Sequence, residues 1–87
     1  MSGEVHISSL VVQAHPTALP VVRRGIEALE GAEVHGVSAA GKLVVTLETA
    51  NEAGIVEHLA RIHELQGVLS AVLVFHQIEP LTPMEGG

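Results

Sequence analysis

Leu29-Glu30-Gly31-Ala32 and Leu65-Gln66-Gly67-Val68 are two versions of one local signal. Each closes a stretch whose apolar residues recur at helical spacing, and each opens onto a β-branched run. A Gly just past the last periodic residue is a common helix stop. The chain therefore reads as two similar halves, each with a helix feeding a strand through a Gly turn.

Before the first Gly stop, Leu19, Val22, Ile26 and Leu29 line one face of a helix predicted over Thr17–Leu29. Pro20 falls in its first turn, where a missing N–H costs little. Residues 5–14 (VHISSLVVQA) form a predicted strand that His15-Pro16 stops. After Gly31, Glu33–Ala39 is a weaker strand interrupted by Gly36, and Ala40-Gly41 suits a tight hairpin turn. Lys42–Glu48 alternates cleanly, with Leu43, Val45 and Leu47 on one side and Val44, Thr46 and Glu48 on the other.

The second half repeats the scheme. Thr49 and Glu52 fit a capping box, and Asn51 is an alternative cap. Ile55, Leu59 and Ile62 mark the buried side of a helix running to about Leu65, and Val68–Gln77 is the last strand. The end of the chain, EPLTPMEGG, has two prolines and no periodicity, so mobility is expected there. The expected organisation is one domain over residues 1–79 and a flexible tail over 80–87.

The order βαββαβ, built from two similar halves, is that of the ferredoxin-like fold, an α+β class with a four-stranded antiparallel sheet and two helices on one face. Leu10, Val12, Ala14, Leu43, Val45, Leu47, Ala71, Leu73 and Phe75 are the expected covered set. Ser9, Val11, Gln13, Val44, Thr46, Glu48, Ser70, Val72, Val74 and His76 are the expected open set. A slip of one residue in any strand would exchange the sets. Val11, Val44, Val72 and Val74 would then form an apolar patch on a face that no third layer covers. Such a patch can mark a partner site. It also fits the ordinary half-apolar outer face of an antiparallel sheet.

Composition narrows the function. The chain has 87 residues, 47% of them hydrophobic, with Phe75 the only aromatic of the Phe, Trp and Tyr class. Four Lys and Arg stand against ten acidic residues, all Glu, for a net charge of -6. That balance repels phosphate backbones and attracts a basic partner. With no Cys there is neither a disulfide framework nor thiol chemistry. No basic-then-apolar leader and no run long enough to span a membrane is visible, so the expected location is the cytoplasm, without membrane insertion.

Catalytic and metal constellations are missing from the pattern. Six histidines (His6, His15, His35, His58, His63 and His76) are present. His58 and His63 lie about 140° apart around a helix, and His6 and His76 fall on opposite faces of the predicted sheet. The expectation is scattered surface histidines, with no metal and no cofactor. Several Ser occur without Asp and without a nucleophile elbow, and the glycines lack phosphate-loop spacing, so no enzyme is expected.

Three stretches are more particular. Ser9–Ala14 (SLVVQA), Leu29–Val34 (LEGAEV) followed by the hairpin and Gly41–Val45 (GKLVV), and Gly67–Gln77 (GVLSAVLVFHQ) together resemble the NapD family. The likeness runs from about Ser8 to Glu79. The first and last stretches are the most specific, because the middle one suits ferredoxin-like domains in general. The resemblance implies a cytoplasmic chaperone that binds the twin-arginine (Tat) signal peptide of NapA, the catalytic subunit of periplasmic nitrate reductase. Export then waits until the molybdenum cofactor is inserted. The chaperone itself holds no cofactor.

The expected peptide site is Ser9, Val11, Gln13, Val44, Glu48, Val72, Val74 and His76; on charge alone, Glu48, with Glu33 or Glu79 beside it, is the expected partner of the arginines. Two other readings share the element order: a small-molecule regulatory domain of the ACT type, and a subunit that self-associates through sheet faces or edges.

Overall fold

In the computed structural model, residues 3–81 are described. The elements are β1 (Gly3–Ala14), a short 3-10 turn (Pro16–Ala18), α1 (Leu19–Glu27), β2 (Ala32–Val37), β3 (Lys42–Thr49), α2 (Glu52–Glu64) and β4 (Val68–Leu81). All strand pairs are antiparallel, and the sheet order is β2-β3-β1-β4. This is the ferredoxin-like arrangement expected from the two-half sequence.

The core lies between the helices and one sheet face. Leu10, Val12 and Ala14 of β1 and Leu43, Val45 and Leu47 of β3 meet Val22 and Ile26 of α1 and Ile55 and Ile62 of α2. Each fully buried Leu or Ile contributes about 1.5–3 kcal/mol of transfer free energy. Aliphatic residues alone build this core, because the single Phe is outside it.

The two Gly stops are steric necessities. Gly31 has φ 83° and Gly67 has φ 100°, a region L side chains rarely adopt. A Cβ on Gly31 would run into the Glu48 carbonyl oxygen, and one on Gly67 into Ala18 Cβ. The hairpin closes with Gly41 N donating to Ser38 O at 3.0 Å. At the start of α2, Asn51 rather than Thr49 is the cap: its Oδ1 accepts from Gly54 N at 2.9 Å. Thr49 Oγ1 instead donates to Asn51 O at 2.6 Å, which fixes the approach to the helix.

Two expectations change here. β4 continues to Leu81, pairing Pro80 with Glu4 and Leu81 with Gly3, so the strand enters the segment read as tail. Residues 82–87 lie outside the described residues.

The second change concerns the faces of β4. Leu73 pairs with Leu10 and Phe75 pairs with Ser9, which leaves Val74 unpaired at a β-bulge. One inserted residue reverses which side chains face the helices. Phe75 therefore joins Ser9 on the open face and is 54% exposed; Leu73, although it pairs with the buried Leu10, is itself 39% exposed and stays outside the covered core expected to hold it. His76 moves the other way and pairs with Ser8 on the covered face.

Candidate functional site

The open face is set by register. Val11 of β1 pairs with Val44 of β3 and with Val72 of β4, so three valines form one row across the sheet. The same alternation that buries Leu10, Leu43 and Ala71 turns these three outward. Val44 and Val72 are 42% and 55% exposed, whereas Val11, on a central strand, is partly covered by its neighbours. Phe75 extends the apolar area along β4, and Val74 at the bulge is 58% exposed.

Polar rows bound this apolar middle. On one side Gln13 pairs with Lys42 and with Ser70. On the other, Thr46 pairs with Glu33 and Ser9, Ile7 pairs with Glu48 and Gln77, and Val5 pairs with Glu79. His35, unpaired where β2 shifts register, lies 2.7 Å from Thr46 Oγ1 and 3.4 Å from Glu33 Oε1. Gln77 donates to the Glu79 carboxylate. Glu48 makes no ion pair among the described residues.

Seven of the eight residues expected at the site hold their place on or at the rim of this face: Ser9, Val11, Gln13, Val44, Glu48, Val72 and the bulge residue Val74. His76 does not. Its Nδ1 is 2.7 Å from Ser8 Oγ, and Ser8 is fully buried on the covered side. Phe75 takes the place expected of His76, and sequence reading missed it. The unbroken apolar run Val72–Phe75 offers no alternation from which a parity change can be read. The polar His76 after that run is the one signal that hinted at it.

The histidines are not all scattered over the surface, and His6 and His76 share one face of the sheet. His6 is 8% exposed and faces His76 on the same side of the sheet, with His6 Nδ1 3.4 Å from His76 Nε2. Others serve backbone oxygens: His58 Nε2 donates to Glu30 O at 2.8 Å and His63 Nε2 to Ala71 O at 3.1 Å. Among the described residues no group of three or more His or Glu side chains converges as metal ligands would.

An α+β domain of this topology, with its helices on one side and an apolar-centred face on the other, is a ferredoxin-like module whose free surface is a sheet. The chain belongs to the NapD family: the family model described as "NapD protein" matches residues 5–80. It is 41% identical over 81 residues to the protein named chaperone NapD of Paracoccus pantotrophus, covering 93% of this chain and 71% of that one. It is 31% identical over 74 residues to chaperone NapD of Escherichia coli K12, covering 84% and 85% respectively. The solution structure of the E. coli Tat proofreading chaperone protein NapD superposes with a TM-score of 0.78 at 30% identity, covering 84% of this chain and 78% of that one. A transcriptional regulator of the AsnC family from Pyrococcus furiosus shares the fold alone, with a TM-score of 0.61 at 18% identity.

Proposed function

We propose that this chain is a chaperone that binds the twin-arginine signal peptide of the nitrate reductase catalytic subunit, and so delays export until the molybdenum cofactor is in place. The reading assigns the binding surface to the open sheet face. The observation that carries it is the Val44–Val11–Val72 row, joined by Phe75, on a face that neither helix covers.

A twin-arginine signal has a basic end and an apolar middle. The apolar middle gains about 25 cal/mol for each Å2 of apolar area it buries against such a row, less the cost of ordering the peptide. The acidic balance of the chain favours a basic partner over self-association, since two copies at -6 repel each other. Work in the cytoplasm, ahead of translocation, follows from that role. No helix of the described residues is long and apolar enough to cross a membrane.

Calorimetric titration with the native signal peptide, a copy with both arginines changed to lysine, and a scrambled copy tests the proposal. Micromolar or tighter binding of the native peptide, lost on scrambling, is the expected result. Weakening by lysine is also expected, because lysine keeps the charge but loses the planar fork. Absence of binding by all three peptides would overturn the chaperone reading.

A further inference from the structure

The open face is electrically one-ended. Its Lys42 sits in the row of Gln13 and Ser70. Its carboxylates sit in the rows beyond the valines: Glu33 beside Thr46, Glu48 beside Ile7, and Glu79 beside Val5. None of these three carboxylates has a Lys or Arg partner among the described residues; the Arg ion pairs there are Arg23–Glu27 and Arg61–Glu57, both within helices. All three arginines of the chain belong to α1 and α2, the layer on the other side of the sheet.

From Gln13 to Val5 along β1 is eight residues, about 27 Å at strand rise. That length equals about 18 residues of α-helix at 1.5 Å each. The face therefore has a cationic end, an apolar centre and an anionic end along one line.

Resting on the signal-peptide reading above, we infer that the peptide lies along the strands in one direction. Its arginines sit over Glu48 and Glu79, and its apolar segment runs across Val11, Val44, Val72 and Phe75 towards Gln13 and Lys42. Charge complementarity selects this orientation. The opposite one sets arginine against Lys42 and leaves the carboxylates without a counter-charge. Paired charges at an interface set orientation and register more than raw affinity. The same asymmetry separates a basic-headed apolar peptide from an apolar peptide without the basic end, because only the first satisfies both halves of the face.

The chain has no Cys, so a nitroxide carried on a Cys of the peptide reports on it without a competing thiol. Two synthetic peptides are labelled, one next to the arginines and one at the far end of the apolar segment, and titrated into the intact isotope-labelled chain. The first label is expected to broaden the amide resonances of Ile7, Glu48 and Glu79. The second is expected to broaden those of Gln13, Lys42 and Ser70.

In parallel, the double variant Glu48→Lys with Glu79→Lys is expected to bind the native peptide about tenfold more weakly, as loss of charge-assisted pairing requires. A peptide with both arginines changed to glutamine is expected to respond by less than about twofold. Both glutamates are exposed, and circular dichroism checks that the variant is folded. Binding with the two broadening patterns exchanged, or equal weakening of both peptides, overturns the orientation while the chaperone reading stands. No binding of either labelled peptide to the unaltered chain removes both.

Discussion

Ser8 Oγ and His76 Nδ1 stand 2.7 Å apart on the covered side of the sheet, and β4 brings them together by leaving Val74 unpaired. The bulge converts a strand that would place Phe75 under the helices into one that places a polar ring there, beside a fully buried hydroxyl. Buried polar groups are stable in such a place only when they are paired. Ser8→Ala removes the partner of His76 Nδ1 while adding no bulk. The expected cost is about 1–2 kcal/mol in urea unfolding. An unchanged midpoint would mean that this contact contributes nothing.

Phe75 and Leu10 test the same parity change from the other direction. Leu10 is fully buried, and Leu10→Ala should cost about 2–5 kcal/mol through lost burial and a cavity. Phe75 is 54% exposed, so Phe75→Ala should cost less than about 1 kcal/mol. The same substitution should weaken signal-peptide binding by severalfold. A stability loss as large as that of Leu10→Ala would put Phe75 back in the core.

Substitution of the outward valines isolates binding from folding. Val72→Asp places a carboxylate on an exposed site in the middle of the apolar row. Peptide affinity is expected to fall at least about tenfold, since burying the charge under an apolar segment is unfavourable. Thermal unfolding should shift by only a few degrees. Peptide affinity equal to that of the unaltered chain, in a folded variant, would remove the sheet face as the docking surface.

The start of α2 distinguishes its two candidate caps. Asn51→Ala should lower stability by about 1 kcal/mol, because Gly54 N loses its acceptor. Glu52→Ala should cost less than about 0.5 kcal/mol, since no hydrogen bond of its side chain closes a reciprocal box. Urea midpoints in the reverse order would restore the capping-box reading.

Glycines divide in the same quantitative way. Gly31→Ala meets both a positive φ and the Glu48 carbonyl oxygen, so a loss above about 2 kcal/mol is expected. Gly36→Ala enters open space at an ordinary φ and is expected to stay within about 0.5 kcal/mol of the parent, or to gain slightly. Equal unfolding temperatures for the two variants would contradict this account of the Gly31 turn.

The element order, the two Gly turns, the aliphatic core of β1 and β3 and the outward side of Val11 and Val44 were legible in the sequence. These rest on local periodicity: alternation in Lys42–Glu48 and helical spacing in Leu19–Leu29 appear in neighbouring residues and survive folding unchanged. The family likeness was readable in SLVVQA and VLVFHQ for the same reason, since those residues are contiguous.

Strand pairing set the far half of β4, as it set the meeting of Val11, Val44 and Val72 in one row. A bulge is a property of two paired strands, not of one, so nothing in Val72–Phe75 announces that Val74 lacks a partner. With it came the outward turn of Phe75, the half-burial of His76 against Ser8 and the meeting of His6 with His76. The one-ended charge of the open face was likewise a matter of register, because Glu48 and Glu79 stand far apart in the chain and come to one end of the sheet only when β3 and β4 both pair with β1.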